Sequence, residues 1–265
     1  MQLDRRRTMS DSGDHVHVDA DVDADGDAGV RVDVEVGLEA RVDVRELEIG
    51  DVPASAAWRH VVELYTAAFP AEELEPVERL VALHRRGDYT THVATDVAGD
   101  VVGFATVHRV ASPRHAWLTF LAVDSACRGR KIGERLFATA CAAGLDWLMG
   151  GGRSDARADD AADDAADDAA LFFVEGHDRQ ARWYARLGAA PLAFDYAMPS
   201  YSDPSLIPIH LLVVGRPPPV AVGGARLARI LRYQLVEGYG LDATDPRVDI
   251  VASRARGRIE TRLTN

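Results

Sequence analysis

The sequence of 265 residues contains two cysteines, one lysine and no long apolar run. The spacing of Cys127 and Cys141 supports neither a disulfide framework nor a metal site, so we expect no metal. No apolar stretch is long enough to cross a bilayer, and no signal-peptide segment follows the arginines at positions 5–7. These absences favour a soluble, cytoplasmic protein with no membrane partner.

Positive charge is also scarce. The formal net charge is −12, and arginine supplies the cationic side chains apart from Lys131, the single lysine. A negatively charged surface repels the phosphate backbone of a nucleic acid, so we expect no nucleic-acid partner. An acidic protein suits a cationic acceptor such as an amine, although solubility alone accounts for the charge equally well.

Three stretches differ in composition from the rest of the chain. Residues 1–40 are rich in Asp, Val and Gly and predict a disordered acidic tail. Residues 150–170 repeat Asp-Asp-Ala-Ala without a core-facing stripe, which predicts a solvated low-complexity insertion. Residues 216–265 predict a C-terminal extension with one helix at 225–236 and a polar tail. That helix either packs on the domain or forms a homodimer contact.

Residues 41–215 have the pattern of one domain that mixes strands and helices. Short apolar or alternating runs predict strands, and apolar residues at helical spacing predict helices. The predicted elements are a strand at 42–49, helices at 54–69 and 76–86, strands at 91–95, 101–110 and 117–123, a helix from 134 to about 149, a strand at 171–174, a helix at 178–187, and strands at 192–196 and 207–214.

A short basic turn joins a predicted strand to a predicted helix near the middle of the chain. The strand ends at Val123, the turn runs from Arg128 to Lys131, and the helical pattern begins at Glu134. Backbone N–H groups in the first turn of a helix lack internal partners, and the helix dipole adds positive charge there. The stretch therefore predicts an anion cradle suited to a pyrophosphate.

A second strand–helix unit follows at residues 171–191. Its apolar run predicts a buried strand, Asp178 is placed to cap the next helix, and Gly188 to end it. Tyr184 lies four residues before the pair formed by Gly188 and Ala189.

These two units resemble motifs A and B of the GCN5-related N-acetyltransferase (GNAT) superfamily. Motif A reads Arg/Gln-x-x-Gly-x-Gly/Ala after a strand. Arg128, Ile132 and Gly133 match it directly, whereas Lys131 replaces the usual central glycine. Motif B carries a tyrosine four residues before a Gly-Phe or Gly-Ala pair, and Tyr184 matches that position.

The likeness extends to one bacterial and archaeal subgroup with a Phe-Pro-x-Glu-Glu segment, which residues 69–73 match. In that subgroup a glutamate at a strand end, a helical arginine and the motif B tyrosine recur together, as Glu175, Arg182 and Tyr184 do here. The resemblance covers roughly residues 42–214.

The resemblance implies an α/β (α+β) fold: a mixed, mostly antiparallel sheet flanked by helices and splayed at an acyl-CoA site. It implies an N-acetyltransferase that moves an acetyl group from acetyl-CoA to an amine of a small molecule or a protein. The amine would attack directly in a ternary complex, without a metal. Two alternatives stay open: a non-catalytic acyl-CoA-binding module, and an acyltransferase that uses a longer acyl-CoA.

The resemblance also implies the roles of most candidate residues. Tyr184 would be the general acid for the leaving thiolate. The cofactor would bind along the end of the strand and the basic turn, at Leu121, Ala122, Val123, Arg128, Gly129, Arg130, Lys131, Ile132 and Gly133. Cys127, beside that turn, is interpreted as a packing residue, because direct transfer needs no covalent intermediate.

Three glutamates are candidates for the substrate side. Glu72 and Glu73 either bind a cationic acceptor or form a solvated helix start. Glu175 either faces the acceptor channel or forms an ion pair with Arg182. The general base is left unassigned.

Overall fold

The computed structural model describes residues 16–22, 28–34, 42–150, 169–216 and 218–262. The chain divides into two compact units, Met1–Arg41 and Val42–Asn265. The predicted insertion at 150–170 falls almost entirely outside the described residues.

The first unit contains a strand pair where the sequence predicted a disordered tail. Strand β1 (Val16–Val22) pairs antiparallel with β2 (Ala28–Val34), and Val16 lies opposite Val34. The alternation of valine and polar residues at a period of two is a strand pattern. Our prediction gave more weight to the acidic composition than to this period.

The second unit contains eleven strands and six α-helices in its described part. The strands are β3 (Asp43–Glu46), β4 (Tyr89–Thr95), β5 (Val101–Val110), β6 (His115–Val123), β7 (Ala170–Gly176), β8 (Ala190–Pro191), β9 (Ala197–Pro199), β10 (Leu206–Pro208), β11 (His210–Arg216), β12 (Ala221–Gly223) and β13 (Arg258–Glu260). The helices are α1 (Ala56–Ala68), α2 (Val77–Arg86), α3 (Ile132–Gly150), α4 (Asp178–Arg186), α5 (Gly224–Tyr233) and α6 (Pro246–Ala252).

Seven strands form one sheet in the order β3-β4-β5-β6-β7-β11-β8. Every neighbouring pair is antiparallel except β6 and β7, which run parallel. The sheet is therefore mixed and mostly antiparallel, as the sequence predicted. In the part of the chain that the structure describes, no helix combines the length and the apolar character that a bilayer crossing requires.

Helices cover both faces of this sheet. Gly103 of β5 faces α3, since a Cβ there would lie 3.0 Å from Leu136, whereas the next residue, Phe104, belongs to the cluster under α1 and α2. Helix α3 packs closely enough that a Cβ on Gly144 would lie 2.7 Å from the ring of Phe172. Successive strand residues point to opposite faces, so the two helix layers bury both sides of β5.

Two local predictions need correction. We placed a strand at 192–196, but the structure has only the two-residue β8 before that range, and β9 begins after it. We also placed Asp178 at the N-cap of the motif B helix, whereas His177 occupies the cap and Asp178 is the first helical residue. The Asp178 carboxylate instead lies 2.8 Å from His210 Nε2 on the neighbouring strand β11.

The C-terminal extension differs from the predicted single helix and polar tail. A second helix, α6, begins at Pro246 after an Asp245 cap, and β12 pairs with β13. Both elements are short, so each carries too few apolar residues to stand out in the sequence. Helix α5 packs on the domain through a cluster that joins Leu227 and Ile230 to Trp117 and other sheet residues.

Candidate active site

The central feature of the site is a gap between β6 and β7. The two strands pair only from Ala116 opposite Phe172 to Leu118 opposite Val174, although β6 continues to Val123. A β-bulge lies at the same level, because the register of β6 against β5 skips Thr119. A bulge bends its strand and strengthens the local twist. The sheet is therefore splayed where the pairing stops.

The end of β6 turns part of its backbone toward this gap. On the opposite side, Asp124 donates its N–H to the Val102 carbonyl at 2.9 Å. In an antiparallel pair both backbone groups of a residue point the same way, and the direction alternates along the strand. Ala122 therefore faces β5, whereas Leu121 and Val123 present their N–H and C=O groups to the gap. Two of the three predicted strand residues thus have the geometry for a ligand.

The basic turn leads from β6 to the first turn of α3. Arg128, Gly129, Arg130 and Lys131 are all exposed. Gly129 has φ 81° and Lys131 has φ 57°, and Lys131 is the one non-glycine residue with positive φ in the described chain. The backbone at Lys131 therefore takes the left-handed conformation that the usual glycine would favour.

Helix α3 begins with its first turn close to an aromatic ring. Ile132 is buried and fixes the start of the helix, while Gly133 is half-buried. A Cβ on Gly133 would lie 3.4 Å from the Trp183 ring of α4. The first-turn backbone N–H groups thus lie beside an exposed cationic turn and an aromatic ring, an arrangement that suits a phosphate-bearing ligand.

A cleft at the gap brings the predicted general acid and two of the three glutamates together. It encloses about 740 Å³, including its open mouth. Its lining includes Leu121 from β6, Glu175 and Gly176 from β7, Gln180 and Tyr184 from α4, and Phe69, Glu73, His177, Met198, Tyr201 and Tyr239 from the surrounding segments.

Tyr184 is almost fully enclosed in the wall of this cleft. Its side chain is 7% exposed, and its ring centroid lies 5.0 Å from those of Phe137 and Trp183. Burial raises the pKa of the hydroxyl well above its usual value, and the neighbouring Cys141 adds to the effect. The hydroxyl is therefore protonated at neutral pH, as a general acid requires.

Glu175 ends β7 on the opposite side of the gap. Its carboxylate accepts hydrogen bonds from the hydroxyls of Tyr196 and Tyr239, the latter at 2.6 Å. Burial raises the pKa of Glu175, and the two hydroxyls offset part of that increase. Glu175 thus lines the cleft. Tyrosines, rather than Arg182, contact the two carboxylate oxygens.

The structure separates the two glutamates of the Phe-Pro-x-Glu-Glu segment. Glu73 lines the cleft, and its Oε1 lies 3.0 Å from His177 Nε2. Glu72 has an exposed side chain, and its backbone carbonyl accepts a hydrogen bond from the Tyr201 N–H at 2.8 Å. Only Glu73 is therefore placed to meet an acceptor in the cleft.

Several residues in the cleft wall or next to it were absent from the sequence prediction. Glu75 is 1% exposed, its Oε1 lies 2.6 Å from Arg79 Nε, and burial raises its pKa to about 7. Tyr201, Gln234 and Tyr239 line the cleft from segments that carry no recognisable motif. In the described residues, no cluster of three or more His, Cys, Asp or Glu side chains is arranged to hold a metal ion.

The splayed sheet, its open backbone edge, the helix N-terminus that follows this edge and the tyrosine in the cleft are the features that the resemblance predicted for an acyl-CoA-dependent acyltransferase. A family model described as the acetyltransferase (GNAT) family matches residues 58–188. The chain belongs to this family, and the matched range contains motif A and all of motif B except Ala189, the second residue of its closing Gly-Ala pair. Tyr196, Tyr201 and Tyr239 lie beyond it.

A solved structure with a TM-score above 0.5 shows the same fold at low sequence identity. A GNAT-family chain from Bacteroides thetaiotaomicron has a TM-score of 0.54 and 18% identity, covering 76% of this chain and 99% of that one. A GNAT-family chain from Desulfovibrio desulfuricans has a TM-score of 0.44 and 19% identity, and the match covers 65% of this chain and 98% of that one. The ribosomal-protein-S18-alanine N-acetyltransferase of Escherichia coli has a TM-score of 0.43 and 17% sequence identity, and the match covers 66% of this chain and 93% of that one. The sequence matches no curated protein.

Proposed function

We propose that this protein is an N-acetyltransferase that transfers an acetyl group from acetyl-CoA directly to an amine. The gap between β6 and β7 is the observation that carries the proposal. Leu121, Tyr184 and Glu175 line the cleft at this gap, and the open backbone edge of β6 continues from Leu121 to Val123, which supports the proposal. Acyl transfer from a thioester to an amine needs donors for the carbonyl, an acid and a base in this arrangement.

The donor would bind along β6 and the start of α3. An extended pantetheine arm carries amide groups that pair with an open strand edge, as an added strand would. The backbone groups of Leu121 and Val123 supply that edge. The first turn of α3 and the residues from Arg128 to Lys131 would hold the pyrophosphate. When bound, acetyl-CoA supplies the activated acyl group.

The acceptor must lose a proton before it attacks. An alkylammonium ion with a pKa of about 10 is neutral in roughly one molecule in a thousand at pH 7, a cost of about 4 kcal/mol. We assign Glu175 as the proton acceptor because burial raises its pKa, which makes its carboxylate a stronger base than an exposed glutamate. Tyr196 and Tyr239 hold that carboxylate in place.

Tyr184 would complete the transfer. The amine nitrogen forms a bond to the acetyl carbon, the carbon–sulfur bond breaks, and the thiolate of CoA takes the Tyr184 proton. The attacking nitrogen releases its second proton to water, and Glu175 later returns the first proton to solvent. A thiolate whose conjugate acid has a pKa of about 8.5 needs such a proton near neutral pH. The phenol recovers its proton from solvent after product release.

Calorimetric titration with acetyl-CoA tests the donor site, and thiol release across a panel of primary amines tests turnover. We expect saturable binding below about 1 mM and amine-dependent release of thiol. Failure to bind at high micromolar acetyl-CoA contradicts the proposal. Binding without thiol release from any amine favours the non-catalytic module, and displacement by a longer acyl-CoA at lower concentration favours the longer donor.

Replacing Lys131 with glycine should stabilise the protein without loss of acetyl-CoA affinity. Lys131 has φ 57°, and removing a Cβ from the left-handed region is worth about 1 kcal/mol. The affinity should stay within about twofold, because backbone groups dominate the cradle. Urea unfolding and calorimetry measure the two effects.

The matched control is Arg130→Gly, which removes a cationic side chain from the same turn at a residue without positive φ. We expect it to lower the unfolding free energy, since glycine there only adds flexibility. A weaker affinity in Lys131→Gly than in Arg130→Gly would show that the lysine charge binds the donor. That result would contradict the backbone account.

A further inference from the structure

The C-terminal extension forms part of the cleft, although it lies outside the family match at 58–188. Gln234, Gly238 and Tyr239 line the cleft together with Glu175. These residues belong to one turn of π-helix, Gln234–Gly238, and to the residue that follows it. Part of the cleft wall is therefore built by a segment that the family motifs do not describe.

Buried contacts hold this segment against the domain. Arg79 of α2 donates through Nη2 to the carbonyls of Glu237, at 2.5 Å, and Gly238, at 3.4 Å, while its Nε contacts the buried Glu75 carboxylate. The Gln234 side chain is 2% exposed, and its Oε1 lies 3.1 Å from Nδ1 of His108 in β5. A partly buried ion pair and a buried amide thus fix the position of the segment.

Tyr239 is the residue of this segment that meets the reacting groups. Its hydroxyl donates to Oε2 of Glu175 at 2.6 Å. Its ring centroid lies 5.5 Å from that of Tyr201, with the two ring planes 33° apart. The pair of rings lies beside a carboxylate, and both the carboxylate and the faces of aromatic rings attract a cation.

The remaining lining defines the chemistry of the occupant. The acidic side chains Glu73 and Glu175 line the cleft, and no arginine or lysine lies among its described lining residues. Phe69, Met198 and Ile209 add apolar surface to the same cleft. A ligand with one positive charge and a short apolar body satisfies both parts of this lining.

We propose that residues 234–241 form the acceptor-side wall of the site, in which Tyr239 positions the Glu175 carboxylate and, with Tyr201, receives a primary alkylammonium ion. This inference rests on the proposed function and deepens it, because it names the segment and the pair of aromatic rings that would hold the amine acceptor. Tyr239 acts as a positioning residue through its hydroxyl, and its ring contributes to binding.

The positioning role is tested by the titration of Glu175 in protein labelled with [δ-¹³C]glutamate, with the resonance assigned by Glu175→Gln. A hydroxyl that donates to a carboxylate stabilises the charged form, so its removal in Tyr239→Phe should raise the Glu175 midpoint by about one pH unit. Tyr233→Phe makes the same chemical change on α5, beside His108 and His115, and should leave the midpoint unchanged. An unchanged midpoint in Tyr239→Phe, or an equal shift in both variants, overturns the role.

Wild-type protein labelled with [ζ-¹³C]tyrosine keeps the test independent of how the variants fold. The Tyr239 resonance should titrate with the Glu175 midpoint, and the Tyr233 resonance should not. Absence of that shared midpoint counts against the contact.

The acceptor class is tested with n-butylammonium chloride and its neutral analogue n-butanol, using the Glu175 resonance to follow binding. We expect the ammonium ion to bind at least about tenfold more tightly, and Tyr239→Leu to remove most of that preference. Equal binding of the two probes, or a preference unchanged in Tyr239→Leu, overturns the assignment. Neither measurement requires turnover, so lack of thiol release in the wild type would reject the proposed function separately.

Discussion

Tyr184→Phe should lower kcat by about 10²- to 10³-fold while acetyl-CoA binds with unchanged affinity. The variant keeps the ring that packs on Phe137 and Trp183 and removes only the hydroxyl proton that the leaving thiolate would take. Steady-state kinetics with an active amine, together with calorimetric titration of acetyl-CoA, measures both quantities.

The comparison variant for Tyr184 is Tyr233→Phe, which removes a hydroxyl outside the cleft lining and should keep kcat within about twofold. A donor whose leaving thiol is already acidic should reduce the defect of Tyr184→Phe, because it needs less help from an acid. If kcat stays near the wild-type value with acetyl-CoA, Tyr184 is a packing residue and not the acid.

Glu175→Gln should lower kcat/KM by about 10²-fold and remove the acidic limb of its pH profile. Burial raises the pKa of Glu175 above the ordinary 4.5, so the protonated, inactive form persists to higher pH than for an exposed glutamate. In the wild type, activity should therefore fall as the pH is lowered through that raised pKa. Glutamine cannot ionise, and its residual rate should lack this fall.

The matched control for Glu175→Gln is Glu72→Gln, because the same change then falls on an exposed side chain. It should leave kcat/KM within about twofold and preserve the acidic limb. A Glu175→Gln profile that still falls at low pH would assign the titration to another group, and Glu73 with its partner His177 would be the next to examine.

The donor side of the site was predictable because its determinants are local. The strand, the turn at 128–131 and the start of α3 are consecutive in the chain, and the family resemblance identifies Tyr184 by its distance to Gly188. The sequence also identified Lys131 as the departure from the motif. Its φ of 57° shows that the neighbouring structure imposes the glycine-like conformation on a lysine.

The splay of the sheet was predictable only through the family resemblance. Residues 117–123 form an apolar run with a single polar residue, Thr119, and a threonine is common in regular strands, so it does not by itself mark the bulge. An apolar run of this kind predicts a buried strand and carries no information on which neighbour the strand leaves.

The acceptor side depends on long-range contacts. Tyr239 is 64 residues from Glu175 in the chain, and their hydrogen bond has no sequence pattern. The segment that carries Tyr239 is held by Arg79, 158 residues before Glu237. Such pairs follow from the packing of α5 on the domain. The periodicity of residues 225–236 predicted a helix but did not decide whether it packs on the domain or forms a homodimer contact.

The extra residue at Thr119 determines which face of the sheet each later residue of β6 points to. Ala116 lies on the α3 side of the sheet, since it is among the nearest atoms to Gly144, whereas Phe120 and Ala122 belong to the cluster under α1 and α2. An unbroken strand would return 116, 118, 120 and 122 to one face. The donor edge is therefore specified by the number of residues in the strand more than by their identity. Substitutions within the run leave that count intact, whereas a single deletion would exchange the residues facing the gap with those facing β5.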